Sequence, residues 1–411
     1  MTNRAEPRLI GQILPFVALG SLCTHFVAFM FPVVAITIAR ELKLPITTVL
    51  SWGFAGYVLF GLGALPGGWL SDAIGGRRVL LVGLAGTGVA ALAAAEAAPG
   101  RSLAVCLGAL GLFAGFHRPA AIQLIDCLDE PWRARGRLVQ RLAAGLGVAL
   151  APVITLGAAS QFGSRQVYTV TGFSVCALSA VLGLWRTAMD DAVLSANRTQ
   201  SPRSTPPVTV YVLLSLAIAA AGIGTFGQFM LQPSYFAHRL PPATAGLAVS
   251  VVYGLGVIGS CVGELNIGER TGYWSHIVLQ FGAGVALVLM GHTEHAWLLV
   301  VATVAALCGL FSQALAMDLI ERMSARSGSA TADGGRFAFI ACVNALAVPL
   351  ATWVATASDN LAAAFPWLGL ITAGAAAGFA VIARLALPAA PDAIDSPSSE
   401  RSRVTLGEPV V

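Results

Sequence analysis

The sequence predicts an all-α integral membrane protein whose twelve helices form two pseudo-symmetric six-helix bundles. Its 411 residues are 56% hydrophobic and 11% charged, and the mean hydropathy is +0.78. A typical soluble domain, by contrast, has about 25% charged residues. The charges cluster between apolar runs that are long enough to cross a bilayer, which takes about 20 residues of helix. Because these runs are continuous rather than alternating, a β-barrel is excluded.

The spans are bounded by turn residues or by charges. Pro45, the pair at 99–100, the charge cluster at 130–137 and the proline pair at 241–242 mark four of these boundaries. Glycine and proline inside a span are tolerated where neighbouring helices satisfy the freed backbone groups. We predict spans at 11–38, 46–70, 79–98, 103–126, 138–160, 167–186, 209–231, 243–266, 275–292, 297–319, 336–357 and 365–386.

A polar segment at 187–208 divides the spans six and six. It predicts an N-terminal bundle at 1–186, a cytoplasmic linker at 187–208 and a C-terminal bundle at 209–386. The remaining residues, 387–411, have the composition of a disordered cytoplasmic tail.

The distribution of positive charge predicts the orientation. With both termini in the cytoplasm, 18 of the 24 Lys and Arg residues face the cytoplasm and five face the other side, while Arg118 lies within a span. This excess is what the positive-inside rule expects. We therefore predict a multi-pass protein of the bacterial inner membrane, with a first span that is retained.

Several functional classes lack their signatures. The net charge of +4 follows from topology and does not indicate nucleic-acid binding. No phosphate-binding lysine loop is present, and no catalytic triad can be argued, so the chain is not predicted to be an enzyme. The seven cysteines have no paired spacing, and His292, Glu294 and His295 lie on a turn that is not a preorganised site. No metal and no cofactor are predicted.

The stretch GGWLSDAIGGRR at 67–78 is the most polar patch near the second span. A tight turn there needs glycine, and Asp72 can meet a helix N-terminus or an arginine of a neighbouring helix. The stretch is either a solvated loop that anchors topology or a conformational gate. It resembles the loop motif G-x-L-x-D-x-x-G-R-R/K of the major facilitator superfamily. The matching residues are Gly68, Leu70, Asp72, Gly75, Arg77 and Arg78, with one extra residue before the arginines.

A related stretch, GELNIGERTGYW, follows the eighth span. Glu269 and Gly272 repeat the spacing of Asp72 and Gly75 at the same ordinal place, and Arg270 lies beside them. Internal repeats of this kind mark transporters that are built from two related halves. The resemblance implies the major facilitator fold and a gate that includes Glu269 and Arg270.

Two further motifs resemble branches of that superfamily. FHRP at 116–119 is similar to the FHP signature of the fosmidomycin-resistance branch with Arg118 inserted, and His25 resembles that branch's histidine in the first span. That branch often has an acidic residue soon after the histidine, where this chain has Ala28 and Phe29.

The fifth span resembles the exporters' motif g-x-x-x-G-P-x-x-G. Gly147 and Pro152 match it as helix-kink positions, whereas Ala151 and Thr155 replace two glycines.

Arg118 is the charge that the sequence places deepest in a span, where an unpaired charge costs at least about 2.5–3.5 kcal/mol. It is expected to bind substrate or steer a proton, or else to form an ion pair with Asp126 or Glu264. His117 points about 100° away from it on a helix and is not expected to share its site, but is itself a candidate for substrate or proton handling. His25 is either a proton carrier or a packing residue.

Several other polar residues in or near the spans fit two interpretations. Glu264 fits either a gate beside Glu269 or a proton site, and Asp126, Asp318 and Glu321 are read as interfacial. Four amides either line a cavity or satisfy neighbouring helices: Gln123, Gln228, Gln232 and Asn344.

The sequence therefore predicts a secondary active transporter that works by alternating access, with a small-molecule substrate in a lipid bilayer. The motifs favour proton-coupled export of a small drug-like or anionic compound. Uptake of a metabolite or siderophore is one alternative, and a non-transporting sensor or assembly factor is another. No oligomeric state is assigned.

Overall fold

The computed structural model describes residues 5–184, 208–262, 269–293, 295–323 and 329–386. The predicted linker, apart from Val208, and the predicted tail lie outside these ranges, as does Glu264. Within the described residues, twelve helical segments are long and apolar enough to cross a membrane. A helix suits this setting because all its backbone hydrogen bonds are internal.

Fifteen α-helices and one short 3₁₀ turn, Leu361–Ala363, build these segments in the described chain. In chain order the helices are α1 Ala5–Leu42, α2 Ile46–Trp52, α3 Phe54–Ile74, α4 Gly76–Glu96, α5 Arg101–Gly115, α6 His117–Asp126, α7 Glu130–Phe162, α8 Ser164–Leu184, α9 Val208–Ala237, α10 Pro242–Val262, α11 Glu269–His292, α12 His295–Met323, α13 Ala330–Ala345, α14 Ala347–Ala357 and α15 Ala364–Ala386.

Three of the spans consist of two consecutive helices. The second span breaks at Gly53, the fourth at Phe116 and the eleventh at Leu346. Pro119 and Pro349 each lie four residues beyond the last residue of the preceding helix. A proline ring clashes with the carbonyl four residues earlier and donates no hydrogen bond, so the breaks at Phe116 and Leu346 each lie just ahead of a proline.

The helices form two six-span bundles, α1–α8 and α9–α15, as the sequence predicted. Two antiparallel helix pairs join them, α3 with α13 and α7 with α10. Large aromatic side chains fill the interiors, among them Tyr168, Tyr253 and Phe379. The outer faces carry exposed apolar side chains such as Val105 and Trp353, at 72% and 70% exposure, as a lipid-facing surface requires.

Candidate functional site

Asp72 joins the two bundles at one end of the molecule, here called the Asp72 end. Its carboxylate accepts hydrogen bonds from the Ser329 and Thr331 hydroxyls at 2.6 and 2.8 Å. It also accepts from the backbone N–H groups of Ala330 and Thr331, each at 3.0 Å. Asp72 thus caps the N-terminus of α13, where free N–H groups and the helix dipole favour a negative charge. We call this contact the Asp72 latch.

The turn after α3 presents Asp72 to that helix end. Gly75 has a φ of +91°, a conformation that glycine adopts without strain, and it lets α4 begin directly after α3. Gln123 supports the turn from α6, since its Nε2 donates to Ser71 O at 2.9 Å and lies 3.5 Å from Asp72 Oδ1. The structure therefore places Gln123 beneath the latch.

The two arginines of the same stretch lie on the N-terminal bundle. Arg77 donates to Gly183 O at 3.0 Å, near the C-terminal end of α8, and Arg78 is exposed. Cations are favoured at helix C-termini. For Glu269 and Arg270 the structure gives the backbone position, in the first turn of α11, and their side chains are outside what it describes.

Small residues let α3 and α13 approach each other next to the latch. A Cβ on Gly68 would lie 2.4 Å from Ala330 O, and one on Gly334 would lie 2.1 Å from Ala64 O. Real Cβ atoms do not come that close, so this packing requires glycine at both positions. Backbone meets backbone here, as small residues permit in membrane helix pairs.

Arg118 lies at the bundle interface, half-buried. Its guanidinium carbon is 4.9 Å from the ring centre of Phe337 on α13, in a cation–π arrangement. The Phe337 ring packs edge-on against Phe60 at 5.6 Å, and Phe60 in turn lies 6.4 Å from His25. Asp126, one of the two expected ion-pair partners, pairs with Arg133 and Arg137 at 3.7 and 3.4 Å.

His117 turns into the N-terminal bundle, away from the side on which Arg118 meets Phe337. It is 3% exposed, and its Nε2 lies 2.8 Å from Ser21 Oγ. His25 donates from Nδ1 to Ser21 O at 2.9 Å, and the two histidine rings are 6.4 Å apart. Ser21 therefore links both histidines within the N-terminal bundle.

Two amides of the predicted site lie in the C-terminal bundle. Gln228 is fully buried, and its Nε2 donates to Ala302 O at 2.8 Å and to Gln232 Oε1 at 3.1 Å. Asn344 on α13 is half-buried and faces α9 at Gly222, where a Cβ would lie 2.4 Å from its Oδ1.

Gly147 and Pro152 lie on α7 and face two different helices. A Cβ on Gly147 would lie 2.3 Å from Leu22 O, so this glycine allows the close approach of α1. Next to Pro152, the Val153 N–H donates to Ser250 Oγ of the other bundle at 3.0 Å. The proline region thus forms a hydrogen bond between the bundles.

The family model described as Major Facilitator Superfamily matches residues 17–332. The chain belongs to the Major Facilitator Superfamily. It is accordingly a secondary transporter, with a small-molecule substrate and membrane-spanning helices that lie in a lipid bilayer, and this family does not consist of enzymes. The fosmidomycin-resistance branch stays a prediction.

The fold is similar to that of a bacterial homolog of the human lysosomal transporter Spinster in an inward-facing, unoccupied conformation. The two chains are 14% identical, and the match covers 91% of this chain and 95% of the other with a TM-score of 0.67. This likeness concerns the fold alone. Among curated proteins, none matches the chain significantly.

This superfamily member also has an aromatic cluster between its bundles that the motif analysis missed. Phe29 packs edge-on against Phe226 and Phe229 at 6.3 and 5.6 Å. Tyr57 lies 5.1 Å from Phe226, and Tyr253 lies 4.5 Å from Phe229. We call these five rings the interface aromatic cluster.

A repeat in the sequence could have revealed part of that cluster. Phe26, Phe29 and Met30 recur 200 residues later as Phe226, Phe229 and Met230. A second repeat relates FHRPAAIQLID at 116–126 to FSQALAMDLIE at 311–321. The two bundles of this transporter are thus related by two sequence repeats.

Proposed function

We propose that this transporter exports a small anionic or drug-like compound from the cytoplasm of a bacterium, coupled to the proton gradient across the inner membrane. The observation that carries the proposal is the place of Arg118, half-buried where the bundles meet and facing Phe337 of the opposite bundle. A charged side chain at this depth in a membrane is expensive and marks a functional site. Its permanent positive charge favours an anionic group on the substrate.

The interface aromatic cluster suits the apolar part of such a compound. Phe29 lies one helical turn from His25 on α1, and Tyr57 lies one turn from Phe60 on α3. The aromatic surface therefore continues from the Arg118 region towards the opposite end of the bundles. Aromatic rings bind planar or apolar groups with defined geometry.

The Asp72 latch serves as the gate in this proposal. It closes the Asp72 end, which the positive-inside rule predicts to face the cytoplasm, and its four bonds must break before that end opens. Two packed arrangements of a helix pair, with a charged contact made in only one of them, form the bistable element that alternating access needs.

His25 is the proton-binding residue in this proposal, and the permanent charge of Arg118 steers the proton. His25 lies close to Phe60 and His117, and it holds Ser21 O through Nδ1. Histidine changes charge in the physiological pH range, so its other ring nitrogen is the proposed site of proton exchange. The Pro152 region and the likeness of 116–119 to the fosmidomycin-resistance signature support export rather than uptake.

Growth inhibition tests this function. An efflux-deficient bacterial host would express wild type, Arg118→Ala or Asp72→Asn, and would be challenged with antibiotics and toxic metabolite analogues. We expect resistance to at least one anionic or amphiphilic compound in the wild type and its loss in both variants at equal membrane levels.

Arg101→Ala is the matched control, because Arg101 is exposed at the start of α5 in the same span. It should keep full resistance. Greater sensitivity with wild type than with an empty vector, lost in Arg118→Ala, would show uptake instead. No protection against any compound in the panel would count against export.

A further inference from the structure

A row of polar side chains runs through the interior of the C-terminal bundle, away from the bundle interface. On α9, Thr225, Gln228 and Gln232 are spaced three and four residues apart, so they share one face of the helix. Gln228 and Gln232 are fully buried, and Thr225 is 5% exposed. Gln228 donates to Ala302 O, and Thr225 Oγ1 lies against Gly309 of the same α12 helix, so the polar row faces the other helices of its own bundle.

The row continues on α11 towards the Asp72 end. Gln280 is fully buried and donates from Nε2 to Ala221 O of α9 at 2.8 Å. One turn before it lies His276, also fully buried, which packs edge-on against Phe379 at 4.6 Å. We call Thr225, Gln228, Gln232, Gln280 and His276 the polar row.

His276 is held in one orientation by Ser312 on α12. Its Nδ1 lies 2.7 Å from Ser312 Oγ and 3.1 Å from Ser312 O, and the hydroxyl is also 3.3 Å from His276 O. A hydroxyl that donates to the backbone leaves Nδ1 to carry the ring hydrogen and donate it to Ser312. The lone pair of Nε2 is then the free basic site of the ring.

Each member of the polar row has one buried polar atom without a hydrogen-bond partner among the described residues. These atoms are Thr225 Oγ1, Gln228 Oε1, Gln232 Nε2, Gln280 Oε1 and His276 Nε2. Buried polar atoms in native proteins almost always have a protein or water partner. Five such atoms in one bundle interior indicate a path occupied by water, because water bonds to several polar groups at once.

The packing of the helices does not require polar side chains at the positions of the two glutamines. In the 200-residue repeat, Gln228 and Gln232 correspond to Ala28 and Pro32 of the N-terminal bundle. The same helix packing is therefore achieved with apolar residues in one half and with glutamines in the other. Polar side chains at these two positions are therefore found in the C-terminal bundle and not at the matching positions of the N-terminal bundle.

We propose that the polar row is a hydrated proton-binding path in which His276 Nε2 takes up the proton, separate from the substrate site between the bundles. This inference rests on the proposed proton coupling and adds a second proton site to the one at His25. The proton adds to the Nε2 lone pair, and no bond to Ser312 has to break. Two ionisable tyrosines lie on the surrounding helices, Tyr211 and Tyr273. The Arg384 guanidinium lies over the ring of Trp274. The side chain of Asp318 is outside the described residues.

The test is a titration of the whole protein in lipid nanodiscs, labelled with ¹⁵N-histidine and followed by NMR without any substrate. His276→Asn assigns the His276 resonance by its loss. We expect that resonance to change from neutral imidazole to imidazolium as the pH is lowered, while circular dichroism shows that the protein stays folded.

Gln280→Leu removes the polar neighbour one turn away and should move the conversion of His276 to lower pH. Thr87→Val, which removes a buried hydroxyl of the other bundle, should leave it unchanged. A His276 ring that stays neutral until circular dichroism shows unfolding would overturn the proposal. So would an equal effect of both variants, or a response to Na⁺ at constant pH. Because no transport is measured, failure here leaves the export proposal to its own experiment.

Discussion

Asp72 has a carboxylate side chain, a group that among the amino acids only aspartate and glutamate provide. An ionised carboxylate only accepts hydrogen bonds, and its two oxygens can take several donors at once. Two hydroxyls and two backbone N–H groups of the opposite bundle supply those donors. An asparagine there would keep the shape but would turn an NH₂ group towards some of the same donors.

We therefore expect Asp72→Asn to open the Asp72 end. Removing a helix-capping acceptor costs about 1–2 kcal/mol, which corresponds to roughly 5- to 30-fold in an equilibrium. Hydrogen exchange followed by mass spectrometry should show amides 330–335 exchanging faster by about that factor.

Asp129→Asn is the control for this measurement, because Asp129 precedes α7 at the same end and its side chain makes no capping hydrogen bond. Exchange at 330–335 should match wild type in that variant. Equal protection of these amides in Asp72→Asn would mean that the latch does not hold α13.

Phe337 provides a second test at the scale of one residue. A guanidinium over an aromatic face is worth about 0.5–2 kcal/mol, and leucine keeps the apolar contact but not the ring electrons. Phe337→Leu should weaken the resistance that Arg118 supports by several-fold in minimum inhibitory concentration. Phe339→Leu, two residues away and 42% exposed, should keep full resistance. A similar loss in both variants would point to general damage of α13.

Sequence reasoning reached only part of the site at this scale. It identified Asp72 and offered a helix N-terminus as one of two partners, and it separated His117 from Arg118 by their helical angle. It could not supply Ser329 and Thr331, because a contact across 257 residues depends on how two helices pack. Local spacing carries no information of that kind.

At the scale of helices, the α3–α13 pair depends on the absence of side chains. Gly334→Ala would drive a methyl group into Ala64 O, and overpacking of this sort costs about 1–3 kcal/mol. We expect a lower midpoint of thermal unfolding in detergent and weaker resistance in cells.

The neighbouring glycine gives the matched control. A Cβ on Gly335 meets nothing closer than Leu65 Cδ2 at 3.9 Å, so alanine fits there. Gly335→Ala should be neutral or stabilise by up to about 1 kcal/mol, since alanine is the better helix former. If the two variants unfold at the same temperature, the close backbone approach of α3 and α13 is not essential.

Hydropathy predicted the helices better than it predicted their interruptions. The first span was predicted at 11–38 and extends over Leu9–Leu42, and the second was predicted at 46–70 and extends over Ile46–Ile74. The extensions contain polar residues at helix ends, and such residues do not add to the hydropathy signal from which the spans were predicted. The breaks at Phe116 and Leu346 were missed, although Pro119 and Pro349 were local signs of both.

At the scale of the whole molecule, the charge asymmetry predicts which end faces the cytoplasm. Alkaline phosphatase, which is active only outside the cytoplasm, should be active when fused after Gly100 and inactive when fused within 187–208. We expect this pattern because loops rich in Lys and Arg stay on the cytoplasmic side when a protein inserts into the membrane. The reverse pattern would place the Asp72 end outside and would invert the direction of transport proposed here.

The Asp72 latch also has a consequence for how this protein can change over evolutionary time. Two of its four bonds end on backbone N–H groups, which every residue except proline provides. Asp72 thus recognises the beginning of a helix more than any particular residue in it. Any residue except proline would keep the donor at position 330, and proline at position 331 would likewise remove one. The two halves of a duplicated gene can therefore diverge in sequence while the joint between them persists.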